Sequence, residues 1–170
     1  MIHISIELYL FLLIELLAVA WLDFKYQKIA NLWGYLNIAV FFMMIFFFKE
    51  NIYFSFSLFL YPVIFFLVGF LFYLLRIMGG GDSKYLVTFF LIVPKSFHED
   101  FLFSLLMVTI VVGGSQFIYN SVKGRQYIID FFTYKQVSYL RKCYGKKFPF
   151  APLILLSWII FGMNNLENIK

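Results

Sequence analysis

Cysteine and histidine are nearly absent from this chain, and charge is thin. One Cys, two His and four Pro stand among 170 residues, of which only 14% are charged. The single Cys143 excludes an intrachain disulfide and a multi-cysteine zinc site. His3 and His98 fall near predicted chain or span ends, so no metal site is expected, and no cofactor. The net charge of +5 does not imply a nucleic-acid partner, because the basic residues flank apolar runs, where Lys and Arg set topology.

Apolar residues are what the chain has in excess: 63% hydrophobic, 24% aromatic, 25 Phe, with a mean hydropathy of +0.87. That composition lies far outside the range of soluble domains. It predicts an all-α polytopic membrane protein of about six transmembrane helices, in contact with lipid. The apolar runs are Ile4 to Leu22, Asn31 to Phe48, Phe54 to Leu75, Tyr85 to Val93, Phe101 to Tyr119 and Phe150 to Met163. At 1.5 Å per residue the first is long enough to span. Ala18-Val19-Ala20 within it resembles a signal-peptidase site, but no Lys or Arg precedes the run and it contains Glu7 and Glu15, so it reads as a retained span. The fourth run is short and is stopped by Pro94 and Lys95. There either the membrane thins or Ser83 and Lys84 dip inward with the Lys snorkelling. No repeat or low-complexity linker divides the chain, so residues 1–170 read as one domain.

The one long polar connection, residues 120–147, holds seven Lys and Arg. Its apolar residues Ile128, Ile129, Phe132, Val137 and Leu140 recur at near-helical spacing. The loop is either a basic amphipathic helix on the membrane surface or a plain topology-setting loop. Sorting Lys and Arg by alternating sides places eleven of the fourteen on one side: Lys25, Lys28, Arg76, Lys84 and the seven of the loop. Lys49, Lys95 and Lys170 fall on the other. By the positive-inside rule the first side is cytoplasmic and both termini face out.

Against this apolar background the acids stand out. Asp82 follows Gly79, Gly80 and Gly81, and Asp23 closes the first run. The topology puts both at the same depth on the cytoplasmic face. An ionised carboxylate in hydrocarbon costs several kcal/mol, so acids at a membrane boundary are functional candidates. Two carboxylates sharing one water can divide hydrolysis, one as general base and the other as general acid. The glycines either let another chain approach Asp82 closely or form an interhelical turn with φ > 0, capped by Asp82. Glu15 lies eight residues before Asp23, on a similar face of one helix. It is either a buried polar partner or a further functional carboxylate.

Gly79-Gly80-Gly81-Asp82 is similar to the GxGD motif, with Lys84 two residues on. Asp23 stands where a first catalytic Asp is needed, and Ile29-Ala30-Asn31 is similar to the Ile-Pro-Asn that follows it. Phe148-Pro149-Phe150-Ala151-Pro152 looks like a proline-containing start of a last span. On these residues, and over essentially its whole length, the chain resembles the type IV prepilin leader peptidases, which are membrane aspartyl proteases. The resemblance implies catalytic Asp23 and Asp82, with Gly79, Gly81, Lys84 and Asn31 as motif and substrate-approach positions. It implies cleavage of a short basic leader from pilin, pseudopilin or preflagellin substrates at the cytoplasmic face of the cell membrane. Two departures matter. Ala30 replaces the usual Pro and loosens the turn after Asp23, and the paired cysteines of the larger bifunctional enzymes are missing. No N-methyltransferase activity is therefore expected, only the small peptidase form. Presenilin-type enzymes share GxGD but pair it with Tyr-Asp, and Leu22 precedes Asp23 here. The rival from another class is a small ion- or proton-coupled transporter or channel using Asp23, Asp82 and Glu15; it should show deep acids and repeated halves.

Overall fold

The computed structural model of the chain describes residues 4–47, 56–74, 79–136, 139 and 149–169. Every named element among them is helical, so the chain is all-α as its composition predicts. The α-helices are α1 (Ile6–Tyr26), α2 (Asn31–Phe47), α3 (Leu60–Leu74), α4 (Gly80–Ile92), α5 (His98–Lys123), α6 (Arg125–Tyr134) and α7 (Ala151–Asn164), with short 3-10 turns at Phe56–Phe59, Lys95–Phe97 and Leu166–Asn168. Ser5 caps α1, its hydroxyl accepting from the Leu8 N–H, and Gln27 ends it in the left-handed region at φ 52°. Lys95–Lys123, with a mean hydropathy of 2.0, is the one stretch among the described residues long and apolar enough by itself to cross a membrane. Asn31–Phe46, Phe56–Leu71 and Ala151–Asn164 are apolar too but shorter. The ends meet: the Ile4 N–H donates to the Asn168 carbonyl at 2.9 Å, and Ile4 and Ile169 form an isolated backbone bridge.

The helices pack as two groups. α4 lies against α2 and α3, while α7 lies against α1 and α5. Each group rests on a close approach at a glycine. A Cβ on Gly69 would sit 2.6 Å from that of Ser83, which brings α3 onto α4, and Gly162 lies against the Tyr9 ring, which brings α1 onto α7. Tyr9 stacks on Trp158 at 5.2 Å between centroids, and the Trp158 indole N–H donates to the Tyr9 carbonyl at 3.3 Å. Aromatic rings then join the groups. Phe89 of α4 meets Phe101 of α5 at 5.2 Å and Trp158 of α7 edge-on at 5.4 Å. Phe90 stacks on Phe65 and meets His98 edge-on. His98 is fully buried, its Nε2–H donating to the Val93 carbonyl at 2.8 Å, so it closes the α4–α5 connection. Overpacking a site such as Gly69 costs about 1–3 kcal/mol. Gly69→Ala is therefore expected to lower the Tm measured in detergent; an unchanged Tm would mean that α3 and α4 do not meet there.

Polarity is inverted relative to a water-soluble bundle. α1 turns Leu10, Ile14, Leu17, Trp21 and Phe24 outward and buries Glu15 and Asp23 along with Leu12, Leu16 and Val19. Asn37, Ser83, Thr88, Ser104 and Ser157 are buried as well. The sequence places a structureless polar connection or surface helix from Asn120 onward. In the structure α5 runs on to Lys123, and after Gly124 a separate helix, α6, buries none of its residues. Val137, Leu140 and most of the loop's remaining basic residues lie outside the described residues, as does Cys143.

Candidate functional site

Asp23 is placed by the last turn of α1 and is 2% exposed. Its Oδ2 accepts from the Ala151 N–H at 3.0 Å. Ala151 opens α7, with Pro152 directly behind it, so its N–H is one of the helix-start donors that no intrahelical carbonyl can satisfy. Asp23 thus caps a helix 128 residues away. The positive end of the α7 dipole favours negative charge at that spot.

Asp82 has a parallel arrangement on α4. The glycines do not form a left-handed turn: no described glycine has positive φ, and Gly80 and Gly81 are the first residues of the helix itself. Gly79 is the N-cap at φ −73°, and the Asp82 carboxylate reaches back to accept from the Gly79 N–H at 3.1 Å. Asp82 does act as a cap, but from the third position inside the helix and back onto the N-cap N–H, not ahead of the helix as expected, and the φ > 0 reason for the glycines is absent. Close approach is the reason instead. A Cβ on Gly81 would lie 2.5 Å from the carbonyl oxygen of Ile29, and one on Gly79 would lie 3.0 Å from the Asp82 carboxylate. Ile29 is buried in the link that follows Asp23, so the bare backbone at Gly81 seats the segment after one aspartate against the helix start that carries the other.

Asp23 and Asp82 both line one cleft of about 1420 Å³. Asn31, Gly79 and Gly81 line it too, whereas Lys84 is exposed and is not among its lining residues. The remaining walls are largely apolar, with Val19 from α1, Phe65 and Val68 from α3, Leu102 and Leu105 from α5 and Leu153 from α7. The cleft can hold an apolar segment with its polar backbone beside two acids. Each acid has one carboxylate oxygen anchored by a backbone N–H at a helix start. Among the described residues no cluster of His, Cys, Asp and Glu is grouped to hold a metal ion. The sequence singled out both aspartates and placed Ile29 and Ala151 within two motif stretches, but did not mark the backbone atoms through which those two residues act. No family model matches the chain, and no curated protein or solved structure matches it either.

Proposed function

We propose that the chain is a polytopic membrane aspartyl endopeptidase of the prepilin leader peptidase kind, cutting a short basic leader from a pilin-like substrate at the cytoplasmic membrane face. One observation carries this reading: Asp23 and Asp82, remote in sequence, line the same apolar-walled cleft. One carboxylate, ionised, takes a proton from water as the hydroxyl attacks the scissile carbonyl. The other, protonated, donates to the carbonyl oxygen; as the C–N bond breaks, the proton gained by the first passes to the leaving amine and the second takes its proton back from the diol as the carbonyl re-forms. The apolar walls accept the substrate's hydrophobic helix, and the basic leader stays in the cytoplasm.

Six crossings accord with the inverted polarity, since apolar faces turned outward beside buried carboxylates suit hydrocarbon and not water. The meeting of Ile4 with Ile169 accords with an even number of crossings. α1, at about 32 Å, is long enough once its acids are covered by protein. The shorter α4 and α7 would need a locally thinned bilayer. The rival ion path would run through Glu15, but Glu15 is not among the residues that line the cleft. In sealed inverted vesicles an impermeant amine reagent is expected to reach Lys25 and not Lys95. Labelling of Lys25 from the outer face alone would put the aspartates on the wrong side for a leader peptide and end this reading. The catalytic test is the pair of Asp→Asn variants treated in the Discussion.

A further inference from the structure

Between the two helix groups lies a buried polar cluster that the cleft does not include. Glu15 of α1 is 4% exposed, Asn37 of α2 0% and Tyr85 of α4 1%. The Tyr85 phenol and the Asn37 amide are the polar neighbours of the Glu15 carboxyl. Four buried oxygens lack any hydrogen-bond partner: Glu15 Oε1 and Oε2, Asn37 Oδ1 and the Tyr85 hydroxyl. One N–H of the Asn37 amide donates to Thr88 Oγ1 at 3.5 Å, and Thr88 in turn donates to the Tyr85 carbonyl at 3.0 Å.

A donor count decides what the cluster needs. With Glu15 ionised, the Tyr85 O–H and the second Asn37 N–H can serve its two oxygens, but Asn37 Oδ1 is then left with no donor, because a carboxylate and an amide oxygen only accept. Among the described residues no Lys or Arg is buried to compensate. α2 and α7 contain no Lys, Arg or His, and on α4 the one basic residue, Lys84, is exposed; the other ionisable groups of α1 and α4 are Glu7, Tyr9, Asp23, Lys25, Tyr26 and Asp82. One added proton closes the count. The Glu15 carboxyl then donates to Asn37 Oδ1 and accepts from the Tyr85 O–H, and no oxygen of the relay Tyr85–Glu15–Asn37–Thr88 is left unpaired.

We infer that Glu15 carries a proton and acts as a positioning residue, tying α1 to α2 and α4 by hydrogen bonds inside the bundle. The tie lies two helical turns from Asp23 along α1 and one turn from Asp82 along α4, so it fixes the offset of the two aspartates. The existence of the tie is independent of the catalytic reading; its effect on cleavage rests on that reading.

The test uses the full chain in lipid nanodiscs, with wild type, Glu15→Gln, Glu15→Leu and Tyr85→Phe. The infrared difference between wild type and Glu15→Gln is expected to contain a carboxylic-acid carbonyl band, and a carboxylate pair of bands in its place would overturn the inference. Gln supplies a donor and an acceptor of the same shape, so Glu15→Gln should keep its Tm, Glu15→Leu should lose stability, and Tyr85→Phe should fall between. A Tm that rises specifically with Na⁺ or K⁺ in wild type and not in Glu15→Gln would show a cation in place of the proton, again overturning it. Misplacement of reacting groups by about 1 Å costs roughly 10²-fold in rate. Cleavage per folded molecule should therefore drop by up to that factor in Glu15→Leu and recover in Glu15→Gln; wild-type cleavage in Glu15→Leu would refute the positioning role. If wild type itself cleaves no prepilin-like peptide, the catalytic reading fails, while the band and the Tm series still decide the tie.

Discussion

Asp23→Asn and Asp82→Asn are each expected to lower leader cleavage by about 10²- to 10⁴-fold, the usual contribution of a positioned general acid or base. Asn cannot exchange a proton with water or with a leaving amine, yet it keeps the shape and one acceptor oxygen. The amide oxygen introduced at position 23 can still accept from the Ala151 N–H, and the one introduced at position 82 from the Gly79 N–H. Both Asn variants should therefore insert and melt close to wild type. Asp23→Ala separates the two roles. It removes the acceptor at the start of α7, a cap worth about 0.5–2 kcal/mol, so it should lose stability in addition to activity. The measurement is cleavage of a prepilin-like peptide per folded molecule alongside Tm. Near-wild-type turnover in either Asn variant would exclude a two-aspartate mechanism, and an Asp23→Ala protein as stable as Asp23→Asn would remove the cap.

Gly81→Ala should be nearly as damaging, for a different reason. Its Cβ would stand 2.5 Å from the Ile29 carbonyl oxygen, a backbone atom that no rotamer change can move aside. Either the link after Asp23 or the first turn of α4 must shift, at an expected stability cost of about 1–3 kcal/mol. Because those two segments carry the two aspartates, turnover of the surviving folded molecules should fall too, by roughly 10²-fold for a displacement near 1 Å. Gly80→Ala is the control. There a Cβ meets the Tyr73 ring at 3.4 Å, close to ordinary contact, and Ala is the better helix former by about 1 kcal/mol. If Gly81→Ala matched Gly80→Ala in both Tm and specific activity, the seat at Ile29 would carry no weight in the site.

These contrasts mark what the linear pattern could and could not disclose. Long apolar runs with polar ends announce helices, which is why α1, α2, α5 and α7 lie close to where hydropathy places them. The start of α4 was hidden, because three glycines read equally as a turn or as a place of close approach, and only the chain packed against them decides for bare backbone inside a helix. Asp23 and Asp82 were legible as rare acids at the ends of apolar runs. The partners of Asp23 and Gly81 were not, since a backbone N–H at residue 151 and a backbone C=O at residue 29 leave no mark on side-chain identity. Glu15 could be recognised as a buried acid on the Asp23 face. Nothing in the order of residues says that Asn37 and Tyr85 point at it, because that depends on how α2 and α4 are rotated about their axes.

The cap that Asp23 places on α7 also sets a clock on biosynthesis. The chain emerges from its N-terminal end, and the donor for Asp23 lies 128 residues later, a delay of roughly 6 to 25 s at common translation speeds. Asn37 and Tyr85, which answer Glu15, arrive earlier, 22 and 70 residues after it. Throughout that interval the first helix carries at its C-terminal end an acid that lacks its α7 partner, and it cannot settle against α7, its main neighbour, before α7 exists. The Asp23 anchor is thus made late in synthesis: a chain that stops before residue 151 has both aspartates and lacks the Asp23 anchor.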